Sequence, residues 1–445
     1  MKNRKWLWVV FSTLAVMMAV CGTGFAGWWN SDAQIVRRMF GDRATIVIEH
    51  GRVVELMYPN GSRPWNPVSD VYDLYRRTAG GSALYPTASH ELYKLKKAYD
   101  RHYIDPYGPS YRRGCYVTRL PPEIGRLTHL RRLEIWGCQP LRLPSEIGQL
   151  KNLVVLNLNG NVLTDLPPEI GNLTNLRRLY LSGIFRNPGG LTHIPPEIGQ
   201  LSRLEVLELD RNQLIDLPPE IGQLTTLRRL DLSMNELRSL PPEISQLDNL
   251  EVLNLNFNVI IEIPPEIGSL ASLRELYVAG GIRRQGELAQ LPPEIGQLSR
   301  LEVLNLYNNS LTALPPEIGN LTQIQKLEVV SNNLVTLPSE IGGASNLREL
   351  ILTDNPLETL PPEIGNLSRL EKLALNNNAL TDLPPEIGNL SNLEVLYLGA
   401  NRLTSLPSEI GQLQRLKVLR LEHNFLTDLP ASLNGFVLPQ QRPQP

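Results

Sequence analysis

Hydrophobic residues recur along this chain in two alternating registers. In residues 153–171, LVVLNLNGNVLTDLPPEIG, Leu156 and Leu158 alternate with Val155, Asn157 and Asn159. A period of two predicts a short strand with one buried face. Further on, Ile170, Leu173 and Leu176 fall at helical spacing and predict a short helical segment facing the same core. Between the two, LPPEIG turns the chain. Its second proline suits the first helical position, where no amide donor is needed, and the glutamate after it favours the positive end of the helix dipole. Gly171 is expected either to relieve crowding or to supply a positive φ.

The unit repeats. LPPEIG or a near variant begins at Leu120, Leu143, Leu166, Ile194, Leu217, Leu240, Ile263, Leu291, Leu314, Leu337, Leu360, Leu383 and Leu406, with a degenerate copy at Leu429. Every interval is 23 residues except two of 28. A fixed period predicts stacked coils that bury apolar faces only against their neighbours, so length here means more coils, not more domains. No coil stands alone, because ordering its chain costs more than its own leucines return, and stacking supplies the balance. An asparagine interrupts the apolar pattern at an inward position: Asn161, Asn212, Asn235, Asn258, Asn309, Asn332, Asn355, Asn378, Asn401 and Asn424. These amides are expected to form a buried ladder, bonding the backbone of their own turn and of the next coil.

The spacing Leu153, Leu156, Leu158, Asn161, Leu163 meets LxxLxLxxN/CxL residue by residue, and residues 120–433 are similar to the leucine-rich repeat family. The LPxEIGxL ending resembles the 23-residue variant of Ras-associated and plant intracellular repeat proteins. The resemblance implies an α/β fold: a right-handed solenoid with a parallel sheet on the concave side and short helical or 3₁₀ segments on the convex side. It also implies a ligand surface on the concave sheet.

Side chains alternating with the leucines then become informative: Trp136, Tyr180, Glu208, Asp210, Asp231, Asn254, Asn256, Phe257, Tyr277, Asn305, Tyr307, Glu328, Ile351, Asn376, Tyr397, Arg420 and His423. Aromatic groups on a rigid sheet offer contact area at low entropy cost. Phe257, Tyr277 and Tyr307 lie on three consecutive coils and are favoured as partner contacts with Tyr180, whereas Trp136 and Tyr397 taken singly read as ordinary surface. The two long intervals insert five residues just after a strand, in GIFRNPGG (183–190) and GGIRRQGE (280–287). Loops on a rigid scaffold commonly carry binding residues, which adds Phe185, Arg186, Arg283 and Arg284 as candidates. The coils around both loops also match, so inheritance of a copied four-coil block explains them equally well.

Ahead of the repeats, residues 27–119 read as an α+β cap that shields the end of the leucine core. A short helix is expected over 31–40 with Asp32 near its start, a hairpin over 44–58 around His50 and Gly51, and a helix over 90–103. The run GRVVEL at 51–56 resembles a worn first repeat strand, so the cap is expected to pair with the solenoid. The many tyrosines of 72–116 read as packing on the core, or as a basic aromatic recognition surface. Residues 1–26 read as a secretion signal: Lys2, Arg4 and Lys5, an apolar run, and small residues ending at Ala26. An uncleaved membrane anchor is the second reading. Cys115 and Cys138 are one period apart, which places them on adjacent strands, where a disulfide between first coil and cap is expected and two stacked free thiols at the inward position are the other reading. Residues 434–445 form a short tail.

The net charge of −2 hides an uneven distribution: residues 120–445 carry 26 basic against 36 acidic residues, a net of −10, which argues against nucleic acid as a partner. Thirteen of those acids are the glutamates of the repeated hexapeptide, so the acidity follows from the scaffold. Glu208, Asp210 and Asp231 could hold a cation, but Arg178, Arg211 and Arg229 nearby favour ion pairing, and no metal is expected. Six scattered histidines and the lack of any HExxH, GxSxG or phosphate-loop pattern give no catalytic residues and imply no cofactor. The expectation is a non-catalytic, secreted or surface-associated protein that binds a protein or peptide on its concave face and inserted loops. A glycan or cell-wall binder, using Trp136 and the tyrosines as stacking platforms, is one alternative. An intracellular scaffold of GTPase signalling is the other, if the signal is not used.

Overall fold

Each repeat folds into a strand of three or four residues, a turn and a 3₁₀ segment, five residues long except for the last, in a computed structural model of the chain, which describes residues 32, 36, 45–49, 52–58, 118–138, 141–184, 189–281 and 286–433. In one coil the strand is Val155–Asn157 and the 3₁₀ segment Pro168–Asn172. Pro167 is extended (φ −69, ψ 143), Pro168 opens the segment, and Glu169 lies in its first turn, as the proline pair dictates. The convex segments are all 3₁₀, because five residues closed by i to i−3 bonds, such as Leu173 N–H to the Ile170 carbonyl at 3.2 Å, leave no room for a full α-helical ladder. Ile170, Leu173 and Leu176 are fully buried. Crowding accounts for Gly171: a Cβ there would stand 2.5 Å from the Glu197 carbonyl oxygen of the next coil, while among the described residues the glycines of positive φ are Gly137 and Gly160.

The strands form one sheet of fifteen in sequence order, from β1 (Thr45–Glu49) and β2 (Arg52–Tyr58) through β3 (Arg132–Ile135) to β15 (Val418–Arg420). β1 and β2 make the expected antiparallel hairpin. β2 then pairs in parallel with β3, Leu56 opposite Leu133, so the worn repeat strand is the first strand of the solenoid sheet. Asp32 and Val36 are helical and buried, and an Asp32 carboxylate oxygen accepts the Val53 N–H at 3.3 Å. From β3 onward every pair is parallel, with leucine facing leucine in register, as in Leu304 against Leu327. Cys138 is fully buried and disulfide-bonded. Cys115, its expected partner, lies outside the described residues, as do the secretion stretch, the helix expected over 90–103, the tyrosine-rich stretch and the tail.

The inward asparagines do form a ladder, but it points the other way from the expectation. Asn258 donates to the Leu232 carbonyl of the preceding coil and to its own Leu255 carbonyl, both at 2.9 Å, and accepts the Leu237 N–H at 3.0 Å. The direction follows from the backbone: the residue just before each described ladder asparagine, Gly160 and Phe257 among them, has positive φ, and this turns the amide back toward the coil already laid down. Coils carrying an insertion have Ile184 and Gly281 in place of the asparagine. Asn212 and Asn309 span them by reaching the Leu181 and Val278 carbonyls, so the ladder continues past both loops. The loop bases are pinched. A Cβ on Gly183 would fall 2.0 Å from the Arg211 carbonyl oxygen, and one on Gly280 would fall 1.9 Å from that of Asn308.

Candidate ligand-binding face

Strand register sets a central row on the concave side: Asp231, Asn254, Tyr277, Asn305, Glu328, Ile351, Ala374, Tyr397 and Arg420 lie side by side. A second row lies two residues further along each coil. The two rows divide the face into halves of different chemistry.

The half nearer the N-terminus is a polar network. Glu208, Asp210 and Asp231 face the concave side as expected but are buried, because neighbouring coils cover them. Ser182 Oγ donates to Asp210, Arg211 lies 3.2 Å from the same carboxylate, and Asn254 donates to Asp231 at 3.0 Å. Arg229 pairs with Asp231 at 3.4 Å and with Glu208 at 3.8 Å. Burial pushes the Glu208 carboxyl up to about 8; the charges of Asp210 and Asp231 add to the rise, and Arg229 and an Asn159 hydrogen bond oppose it. Asp210 is raised as well, chiefly by burial. Tyr180 is half-buried at the rim of this network, its hydroxyl pKa raised by burial and then by Glu208. Among the described residues no group of three or more His, Cys, Asp or Glu is arranged to hold a metal ion.

The other half carries an apolar cluster among polar residues. Val330, Ile351 and Ala374 are 6%, 7% and 3% exposed and form a hydrophobic cluster of their own, separate from the leucine core. Tyr307 and Tyr397 pack against it. Burial raises the hydroxyl pKa of both tyrosines. Tyr397 is therefore part of a cluster rather than ordinary surface. Sequence reasoning named Ile351 and Tyr307 but missed Val330 and Ala374. The signal was present in the register, since both fall in rows where polar residues predominate.

Phe257, Tyr277 and Tyr307 lie on three consecutive coils, at three different places along the coil. Tyr277 stands in the central row and donates to Glu275 at 2.9 Å. Phe257 (φ 63) and Tyr307 lie on either side of Ala279 and Gly280, at the base of the second insertion: Phe257 N–H bonds the Ala279 carbonyl and Gly280 N–H that of Tyr307. Phe185, Arg186, Arg283 and Arg284 lie outside the described residues. On the strand edge opposite the loops, an open groove of about 500 Å³ is lined by Arg228, Glu251, Arg274 and Glu302, among others. These charges pair with each other, Arg228 with Glu251 at 2.5 Å and Arg274 with Glu302 at 3.0 Å, so the groove's chemistry is largely internal.

Residues 114–195, 192–285 and 361–436 match the model of a leucine-rich repeat region, and residues 300–321 and 346–367 match that of a leucine rich repeat. Among solved structures, a leucine-rich repeat protein of Leptospira interrogans is 40% identical, with 71% of this chain and 84% of that one covered and a TM-score of 0.62. The plant peptide hormone receptor RGFR1, solved in complex with RGF2, is 31% identical over 69% of this chain and 50% of its own, with a TM-score of 0.59. A TDR receptor is 25% identical over 69% of this chain and 58% of its own, at 0.55. This chain thus spans about half the length of each of the two receptor chains. No curated protein matches it.

Proposed function

The chain belongs to the leucine-rich repeat proteins, and from that premise we propose that it is a non-catalytic binding protein, exported from the cell, whose concave sheet holds a protein or peptide partner. One observation carries the reading: an apolar cluster of Val330, Ile351 and Ala374 lies on the concave side, outside the core that holds the coils together. Stacking does not call for apolar side chains in these rows, where neighbouring coils use Asn, Glu and Arg. The half-buried Tyr307 and Tyr397 that pack against this cluster carry its accessible area, and aromatic side chains on a rigid sheet are favourable contact anchors. The similar plant receptor is a peptide hormone receptor, which supports a peptide or protein as the ligand class. Export rests on the secretion-type N-terminus of the sequence.

Cross-linking of the exported protein to its neighbours tests the proposal. A partner protein should be captured by the wild type, lost with Ile351→Glu on the concave side, and retained with Glu340→Gln on the convex side. Equal capture by all three would overturn the concave reading. Fractionation that finds the full-length chain in the cytosol would overturn export.

A further inference from the structure

We infer that the groove on the edge of the solenoid opposite the insertions binds a sugar acid, whose carboxylate pairs with the Arg300 guanidinium and whose hydroxyl groups donate to the Asp248 carbonyl and to Asn249 Oδ1. The site lies outside the concave face and is independent of the partner proposed for it.

The position three residues before each strand shows how this edge is normally filled. Where asparagine stands there and arginine follows in the next coil, the two join. Asn175 donates to the Lys151 carbonyl at 2.8 Å and accepts from Arg203 at 2.7 Å, and Asn392 donates to the Ser368 carbonyl at 2.6 Å and accepts from Arg415 at 2.7 Å. Asn346 and Arg369 repeat the pair. Each amide thus lies between a backbone carbonyl on one side and a guanidinium on the other. Ser272 breaks the pattern. It precedes Arg300 by 28 residues, across the second insertion, as Asn175 precedes Arg203 across the first. Its hydroxyl makes neither contact. Among the described residues the Arg300 guanidinium, Ser272 Oγ and the Asp248 carbonyl therefore have no hydrogen-bond partner, and Asn249, which donates to the Thr225 carbonyl at 2.8 Å, accepts nothing at Oδ1.

These groups border the groove of about 500 Å³, which is in the size range of small-ligand sites. Its charges select the ligand. Arg228 is held by Glu251 and Arg274 by Glu302, each pair joining two coils, so of three arginines against two glutamates only Arg300 is unmatched. One negative charge balances the groove, and a dianion would meet the two glutamates as like charges. A carboxylate also offers the paired oxygens that a guanidinium fork takes in a bidentate bond. The Asp248 carbonyl and Asn249 Oδ1 are acceptors and call for donors on the body that carries the carboxylate; hydroxyl groups supply them, whereas a hydrocarbon body would leave both unpaired. Asn249 and Arg300 stand two coils apart, about 10 Å at strand spacing. One six-membered sugar ring with a hydrogen bond at either end bridges that gap.

Titration calorimetry of the full-length protein with D-glucuronate, and with D-glucose as its neutral counterpart, tests the inference. Glucuronate should bind, and glucose about tenfold more weakly or not at all, because it lacks the charge-assisted contact. Arg300→Gln, at an exposed position, should weaken glucuronate binding about tenfold or more. Ser272→Asn should do the same, since the new amide engages Arg300 and fills the groove, and its melting temperature should equal or exceed that of the wild type. Arg203→Gln, which removes the paired arginine beyond the first insertion, should leave binding unchanged. A glucuronate-terminated tetrasaccharide separates two sources of the same chemistry: tighter binding than the monosaccharide assigns the groove to the end of a polysaccharide, and weaker binding assigns it to the free acid. Absence of glucuronate binding, equal binding of glucose, or binding indifferent to Arg300→Gln or to Ser272→Asn overturns the inference. None of these outcomes bears on the concave face, whose reading fails separately, when the cross-linked partner is captured regardless of substitutions there.

Discussion

The side-chain amide of Asn258 joins two coils, donating to the Leu232 carbonyl of the preceding coil at 2.9 Å while accepting the Leu237 N–H of that coil at 3.0 Å. Both backbone groups belong to a turn that has left the sheet ladder, and both are buried. Replacing Asn258 with Leu leaves two groups of one coil and the Leu255 carbonyl of another without partners. Each such orphan costs about 1–3 kcal/mol, so the variant should lose about 3 kcal/mol or more and melt at a clearly lower temperature. An unchanged urea midpoint would show that the ladder does not hold the coils together.

The residue before each ladder asparagine should respond in the opposite sense. Ala400 has φ 55, a left-handed conformation that its Cβ makes costly. Gly137 and Gly160 occupy the same place in earlier coils. Ala400→Gly removes the Cβ penalty and adds back some unfolded-state entropy, for a net stabilisation of about 0.5–1 kcal/mol. Differential scanning calorimetry checks it, and a lower melting temperature would mean that Ala400 makes a packing contact worth more than the strain.

How much of this was legible in sequence differs between the two faces. The leucine and asparagine periods specify the core, because one inward position maps to one chemical requirement in every coil. The concave side obeys no such rule. Val330 and Ala374 look like any residue between leucines until register sets them beside Ile351, and Tyr397 joins them only through strands separated by whole repeats. Phe257, Tyr277 and Tyr307 are close in coil number yet occupy three different places along the coil, because position within the strand decides proximity as much as adjacency of coils. The direction of the asparagine ladder likewise depends on positive φ values that composition does not display.

The polar half of the concave face should make stability depend on pH. Glu208 is raised from 4.5 to about 8 when folded, first by burial. Its native form therefore holds a proton that the unfolded chain releases above 4.5. Stability from this group is fully present below the unfolded value and falls as pH rises from about 4.5 to about 8, on the order of a few kcal/mol in total. Asp210 shifts in the same direction and adds to the slope. Glu208→Gln, neutral at every pH, should flatten the curve between pH 5 and 8 and raise the urea midpoint at pH 8 above that of the wild type. A midpoint that rises with pH in the wild type over this range would contradict a buried, protonated Glu208.

The necks of the insertions should be the least forgiving glycine sites. A Cβ on Gly280 would meet the Asn308 carbonyl oxygen at 1.9 Å and the Gly286 Cα at 2.7 Å, both backbone atoms that move only with their coils. On the convex side a Cβ on Gly222 would also be tight, 2.4 Å from the Glu243 carbonyl oxygen. Yet Ser245 occupies the corresponding place one coil later, with its hydroxyl bonded to the Pro242 carbonyl at 2.8 Å, so that convex position yields to a side chain. At Gly280 two strands of the same loop and the next coil converge, and no neighbour is a flexible side-chain end. Gly280→Ala should therefore cost about 1–3 kcal/mol and Gly222→Ala less. Paired thermal melts compare them directly. Equal losses would mean that the loop base is as pliable as the convex turns.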